Sequence, residues 1–571
     1  MRASLKAALV LMVAAQSAQA SDGFLLQPLS DVVAGSQFGA QFATHQYSYG
    51  TTVNQRGNLI GWQRTATGQL KSFNVTQGTN PSLVIVDSPD FMALAAGEPV
   101  CVWIFCTAAL PWGVMITAQG GVGQFIGRDP LLAPLPGSLP DTRFPGALVN
   151  ANRHGVVATS QIGDDGRYGA VLFPSGPLIL NGLPLLVAIN DNVPAQILAH
   201  DGTGADCLID GIGCEPAPVA GCDGSQDTHK NTRGKGHQSH GRGHGYGHYR
   251  CGPGKPGSDS YLGLTAATTL TSVSAGSVAE QEGYLVTVSA DGEQSRLRFP
   301  TTLASGETLV RAFPLALNQR TAILRADIHG AAVWPGRLVR CDFNPLALDT
   351  NGDGVVDCLN GVRSVEAPET GVEVHTVLGF SLNSHGLLIG NAGFGGAGVG
   401  SPFRVQLDQV VPQVDLLSNR MVGAENWELA SVSDLNDGRR AIGYGYQDCG
   451  DRPRAVVLSP LTGLSASMGF RIGRWLQNTA VIPGQAYTVA PQAQGGSGQY
   501  LYRYSVKSPG APDWTLLQDW SASPLQAVAA QQGELCYRIE LTDAVSSEQR
   551  QLVLRYRVTP ALANPSRPAL P

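Results

Sequence analysis

The chain has 571 residues, of which 14% are charged and 43% hydrophobic, with 70 glycines and 36 prolines. So few Glu, Lys and Arg residues exclude coiled coils and long solvated helices, and the apolar content excludes a disordered chain. A formal net charge of −6 excludes wholesale nucleic-acid binding.

Residues 1–20 read as a secretory signal peptide. Arg2 and Lys6 form a positive n-region, Ala7 to Ala15 an apolar stretch, and Ala18-Gln19-Ala20 a small-residue cleavage site. The apolar run is too short to span a bilayer of about 30 Å, and no later segment supplies about 20 uninterrupted apolar residues. The expected product is secreted or periplasmic, with no transmembrane segment in the mature chain.

From residue 21 to 470 a phrase recurs: an apolar residue, Asn, a short turn usually holding Gly, then an apolar strand. Its copies begin Val53-Asn54, Ala151-Asn152, Leu382-Asn383 and Leu435-Asn436, with a degenerate copy, lacking Gly, at Leu317-Asn318. Asn and Gly tolerate positive φ and so place a tight turn ahead of each strand. A second apolar strand follows, at Phe73, Val171, Phe403 and Val456, and at Val333 in the degenerate copy. Residues 284–299 add a hairpin around Asp291-Gly292. Units of this size cannot each bury an apolar face, but stacked radially they can, which predicts an all-β, propeller-like repeat domain. The competing expectation is a generic β-rich domain with Asn-Gly turns.

The phrase resembles the extracellular HAF-type repeats, in which an Asn-x-x-Gly turn precedes Val-Val-Gly and a later strand carries an aromatic residue. Ala332-Val333-Trp334 approximates that later strand. The resemblance implies an extracellular, propeller-like repeat protein.

An oxidising compartment allows disulfides. Sequence proximity pairs Cys101 with Cys106, Cys207 with Cys214, Cys222 with Cys251, and Cys341 with Cys358. Cys449 and Cys536 are left over in different domains, where they either link the two or stay separate thiols. No CxxC or CxxCH arrangement points to redox or haem chemistry.

A Gly/His-rich insertion occupies residues 222–257. It holds five of the 11 histidines, His229, His237, His240, His244 and His248, among glycines that forbid a stable helix. The last four are candidate ligands for Zn²⁺ or Cu²⁺, or become cationic below about pH 6.5. A flexible insertion without a dedicated role is the alternative.

Asp349-Thr350-Asn351-Gly352-Asp353-Gly354-Val355-Val356-Asp357 matches the D-x-[DN]-x-[DN]-G calcium-loop pattern. Ca²⁺ takes six to eight hard oxygens, and alternate side chains converge where Gly permits a sharp turn. Asp349, Asn351 and Asp353 would offer side-chain oxygens, Val355 its carbonyl, and Asp357 a direct or water-mediated contact. The twelfth place is Asn360 rather than the Glu of an EF-hand, so the loop is similar to the thrombospondin type-3 or dockerin kind. The resemblance implies a structural Ca²⁺; an acidic turn without metal is the other reading.

Residues 471–560 change character. Residues 499–506, 535–541 and 552–558 alternate as half-buried strands should, with Gly- and Pro-rich turns between them. The run Gly-Gly-Ser-Gly-Gln-Tyr followed by Cys-Tyr-Arg-Ile-Glu-Leu-Thr-Asp is similar to bacterial immunoglobulin-like or PKD-like modules, which implies a β-sandwich. Residues 561–571 form a Pro-containing tail.

Catalytic signals are nearly absent. Gly393 to Gly398 matches G-x-G-x-x-G without a βαβ context, and neither a G-x-S-x-G elbow nor an H-E-x-x-H helix occurs. The expectation is a secreted, calcium-stabilised binding or surface protein whose loops meet an extracellular glycan or protein. Its rivals are a polysaccharide lyase or hydrolase on a propeller, and a transition-metal binder using the His-rich loop.

Overall fold

The computed structural model describes residues 23–35, 47–200 and 283–558, apart from short stretches within the latter two ranges. Residues 1–20, expected as a signal peptide, the Gly/His-rich insertion at 222–257 and residues 561–571 lie outside the described residues.

Among the described residues seven mainly antiparallel sheets follow one another along the chain, five of four strands and the last two of five. The first comprises Tyr47–Val53, Leu59–Arg64, Leu70–Thr76 and Ser82–Ile85. The next five span residues 91–134, 148–180, 185–298, 309–364 and 372–416. The seventh takes Trp427–Leu435, Ala441–Gln447 and Arg454–Pro460 from one end of the chain, and Phe24–Pro28 from the other. Each sheet packs on the next, and the seventh packs on the first. The array is a closed seven-sheet ring, which is a propeller.

Sequence explains why the strands stack this way. A strand covered on both faces reads as a continuous apolar run, and Ala455-Val456-Val457-Leu458 is one. Val456 and Leu458 join a cluster with Leu387, Ile389 and Trp427 toward the sixth sheet. Ala455 and Val457 join Val53, Leu59 and Phe73 toward the first. Leu388 likewise turns from the seventh sheet to pack with Phe313 and Ile323 of the fifth. Period-two alternation thus distributes one strand between two joints.

Two glycines of the repeated phrase are fixed by close approach. A Cβ on Gly61 would lie 2.1 Å from the Tyr49 carbonyl oxygen and 2.4 Å from the Phe73 ring. One on Gly443 would lie 2.1 Å from the Ser431 carbonyl oxygen. Each sits opposite the later strand that the phrase predicts, Gly61 against Phe73 and Gly443 against Val456. The hairpin predicted at residues 284–299 is formed by Gly283–Val288 and Gln294–Arg298. Ala332, Val333 and Trp334 lie outside the described residues.

The C-terminal module is a β-sandwich. Ala480–Val481, Gln549–Val558, Gly533–Asp543, Tyr500–Lys507 and Thr515–Ser521 form one sheet in that order, and Ala486–Val489 pairs with Leu525–Val528 in another. Tyr504, Tyr537, Ile539 and Tyr556 fill the space between them with Val489 and Leu525. Among the described residues no helix is long and apolar enough to cross a membrane.

Among the described residues two disulfides are formed. Cys341–Cys358 staples the third and fourth strands of the fifth sheet. Cys449–Cys536 joins the propeller to the sandwich, deciding between the two alternatives for that pair. Cys101 and Cys106 are backbone partners in a small hairpin, and their side chains lie outside the description. Cys207, Cys214, Cys222 and Cys251 lie outside the described residues.

Candidate functional site

The recurring asparagines converge. Each lies in the turn between the first and second strands of its sheet, and each is buried. Its Oδ1 accepts an amide hydrogen from across its own turn: Asn58 to Asn54 at 2.8 Å, Val156 to Asn152 at 3.0 Å, and Thr321 to Asn318 at 2.8 Å. Leu387 donates to Asn383 at 2.9 Å and Arg440 to Asn436 at 2.8 Å.

The other half of each amide reaches the next sheet. Asn152 Nδ2 donates to the Asn190 carbonyl at 3.1 Å, Asn190 to Asn318 at 3.1 Å, and Asn318 to Asn383 at 2.9 Å. Asn383 donates to Asn436 at 3.3 Å and Asn436 to Asn54 at 2.9 Å. Sheets in a propeller diverge outward, so turns one hydrogen bond apart can only surround the axis. The chain of amides therefore borders one mouth of the central channel, running from the third sheet round to the first. Asn suits the task because it carries an acceptor and a donor on one short side chain.

Asn190 was not marked by the sequence phrase. Its turn, Asn190-Asp191-Asn192-Val193-Pro194, has no Gly, and its Oδ1 accepts from Gln196 rather than from the fourth residue on. The legible signal is the apolar-Asn pair Ile189-Asn190 ahead of the strand Ala195–His200.

The ring fixes the turn tips that stand beyond it. Arg56, Arg320 and His385 are exposed there, with Asp191, Asp437 and Arg439 half-exposed. Cross-links join neighbouring tips: the Asp437 amide donates to Gln55 Oε1 at 2.8 Å, and the Ser384 amide to Asp437 Oδ1 at 2.7 Å. Gly57 and Gly386 take left-handed backbone at the third place after Asn (φ 80° and 74°), as the phrase predicts. In the seventh sheet that place belongs to Arg439 (φ 61°).

Just beneath the ring, Asp434 ties three sheets together. Its carboxylate accepts from Thr52 Oγ1 at 2.7 Å and the Val53 amide at 3.0 Å in the first sheet, and from Ser381 Oγ at 2.8 Å in the sixth. Burial pushes its carboxyl above the ordinary range, although these hydrogen bonds and that of the Leu435 amide oppose the shift.

No family model and no curated protein matches the chain. Among solved structures it is similar to the extracellular domain of a hybrid two-component system from B. thetaiotaomicron, at 9% identity over 89% of this chain, with a TM-score of 0.24. It is also similar to prolyl oligopeptidase B from Galerina marginata, at 9% identity over 90% of this chain, with a TM-score of 0.26. The chain spans 61% of the first and 58% of the second.

The calcium-type loop lies apart from the ring, between the third and fourth strands of the fifth sheet. Asp349 Oδ1 accepts from the Gly352 amide at 2.8 Å, and its Oδ2 from the Gly354 amide at 3.0 Å. Asp353 Oδ1 accepts from the Val355 amide at 2.9 Å, and its Oδ2 from Asn351 Nδ2 at 3.0 Å. Asp357 turns to the Thr350 hydroxyl and amide, both at 2.6 Å, which hold its carboxyl below the usual range. Among the described residues no three His, Cys, Asp or Glu side chains converge as a ligand set. The oxygens nonetheless keep second lone pairs beyond these amide contacts, so the donor chemistry suits a hard cation. His237, His240, His244 and His248 lie outside the described residues.

Proposed function

We propose that the protein is a secreted binding module that meets an extracellular glycan or protein through the asparagine-ring face of its propeller. The observation that carries this reading is the continuous amide relay from Asn152 round to Asn54. It holds a constant frame while the residues just beyond it vary from turn to turn: Gln55-Arg56, Asp191-Asn192, Gln319-Arg320, Ser384-His385 and Asp437-Gly438. A rigid scaffold with variable tips is how folds present recognition surfaces. Two disulfides and an apparatus of short, closed sheets suit an oxidising, protease-exposed compartment.

The reading is tested by measuring retention of purified protein on a panel of immobilised polysaccharides and by watching the same mixtures for new reducing ends or unsaturated products. Retention without turnover is expected. A variant carrying Arg56→Ala, Arg320→Ala and His385→Ala should lose retention and keep its melting temperature. Turnover, or full retention by the triple variant, counts against the ring face as a binding surface.

Calcium is proposed as a structural ion of the fifth sheet. Asp349, Asn351, Asp353 and Asp357 would hold it with the Val355 carbonyl, neutralising carboxylates that otherwise only cap amides. Calcium should then raise the melting temperature above that in EDTA, and Asp353→Ala should abolish the gain. Identical melting in both media removes the ion from this loop.

A further inference from the structure

The chain contains three Asn-Gly pairs, Asn181-Gly182, Asn351-Gly352 and Asn360-Gly361. In such a pair the glycine nitrogen can attack the asparagine side chain, because no Cβ shields the approach. The first pair lies outside the described residues. The other two belong to the same corner of the fifth sheet and differ in how they are held.

Asn351 and Gly352 stand exposed in the loop between the third and fourth strands. A Cβ on Gly352 would meet nothing within 4 Å. The Asn351 amide is anchored at both ends. Its Oδ1 accepts from the Asp353 amide at 3.0 Å, an N–H shared with Asp349 Oδ1 at 3.2 Å, and its Nδ2 donates to Asp353 Oδ2 at 3.0 Å. A side chain bonded two residues ahead folds back over the residue between, which brings Cγ toward the Gly352 nitrogen. The Gly352 amide donates to Asp349 Oδ1 at 2.8 Å, a charge-assisted bond that enriches the nitrogen.

Asn360-Gly361 has another setting. It lies within the strand Cys358–Ser364, beside the disulfide, and a Cβ on Gly361 would stand 3.3 Å from Ala304. Ladder hydrogen bonds there hold the backbone against the turn that ring closure needs.

We propose that Asn351 is a self-modification site, at which the loop converts its own amide to an acid. The Gly352 nitrogen bonds to Asn351 Cγ, and charge gathers on Oδ1, to which the Asp353 amide already donates. The Cγ–Nδ2 bond then breaks, and ammonia leaves with the proton that Gly352 gives up. Water opens the five-membered imide at either carbonyl, giving an aspartyl or an isoaspartyl link. The reaction consumes water and releases ammonia, with nothing oxidised or reduced. An aspartyl product adds a third carboxylate beside Asp349 and Asp353, and ligand charge tunes calcium affinity. That consequence rests on the calcium proposed above; the reaction itself does not.

Peptide mass spectrometry on the purified full-length protein, kept in EDTA at neutral pH for days, tests the reaction. The Asn351 peptide should pass through the imide to the acid at least about fivefold faster than the Asn360 peptide. It should also react faster in the folded protein than in the same protein held in guanidinium. Asn351→Gln, whose ring would need one more atom, should keep its mass there. Asp349→Ala, which frees the Gly352 amide, should slow Asn351 toward the rate of the denatured chain. An Asn351 that reacts no faster than Asn360, or no faster folded than denatured, overturns the proposal. An unchanged rate in Asp349→Ala overturns the part given to that carboxylate.

The consequence is read separately. Asn351→Asp should reach its calcium-induced gain in melting temperature at about tenfold less calcium than wild type. Equal calcium midpoints overturn the added ligand. If neither protein responds to calcium, the consequence falls with the calcium reading, and the mass data alone decide the modification.

Discussion

The joints between sheets of the ring and the joint between ring and sandwich are made from different chemistry. Within the ring, apolar faces meet and neutral amides bridge one turn to the next, as Asn383 does to Asn436. Between propeller and sandwich the contact is ionic. Arg555 donates to Glu428 of the seventh sheet at 2.7 Å, to Glu534 at 2.8 Å, and to the Gly450 carbonyl at 2.9 Å. Burial works against its charge, yet the two glutamates outweigh it and raise the pKa above the ordinary value. Arg538 and Lys507 both reach Asp448 and both lie over the Trp514 ring. The Cys449–Cys536 disulfide crosses the same place. Neutral amides serve where six like turns must meet in a fixed register. Charges and a covalent bond serve where two unlike bodies meet once, and directional pairs specify that single fit at some cost in desolvation.

The largest test of this contrast removes the covalent bond. Closing a loop of 87 positions restricts the unfolded chain by about 4–5 kcal/mol in the chain-entropy treatment. Cys449→Ala with Cys536→Ala should therefore lower the denaturant midpoint of the sandwich, followed by its tyrosine fluorescence, and leave the ring transition in place. A joint loss of both transitions would mean that the two bodies unfold as one.

Next in size is the relay. Asn383→Ala leaves the Leu387 amide and the Asn436 carbonyl without their partners, a loss of about 2–5 kcal/mol from the ring alone. This loss should be insensitive to salt, whereas Arg555→Met should matter less as salt increases. Equal salt dependence in the two variants would erase the distinction between neutral and ionic joints.

The smallest effect is in pH. Asp434 in the ring has a raised pKa, so its contribution is fully present below its unfolded value near 3.8 and is lost as pH rises through the folded value. Asp543 in the sandwich has a lowered pKa, held chiefly by the amides of Ser497 and Ser546. Its contribution is present above 3.8 and is lost as pH falls through the folded value. Asp434→Asn should gain on wild type as pH climbs, and Asp543→Asn should fall behind it over the same range. Melting curves from pH 3 to pH 8 would show the two trends crossing, or refute the assignment.

Much of the ring was legible because one constraint repeats. Asn54, Asn152, Asn318, Asn383 and Asn436 stand out by their neighbours in sequence, and all five enter the relay. Asn190 hides because its turn is closed by Gln196, and a turn of different length carries no shared phrase. Asp434 was not legible at all. Its meaning depends on burial against other sheets, and its partners there lie 382 and 53 positions away. The sandwich could be read from its alternation, since each strand has one wet and one dry face. The link between Cys449 and Cys536 could not, because spacing alone does not reveal which surfaces touch.

Finally, one strand of the seventh sheet, Phe24–Pro28, comes from about 400 positions upstream of the rest. Leu26 sits against Leu458 in register, so residues 24–28, made long before residues 454–460, must wait for that part of the propeller before they can be paired. Such distant pairing slows folding and leaves a naked strand edge in the interim. Truncation before residue 28 would leave the circle unlatched rather than merely shorter, and a chaperone that shields extended apolar chain would have its natural client in that waiting interval.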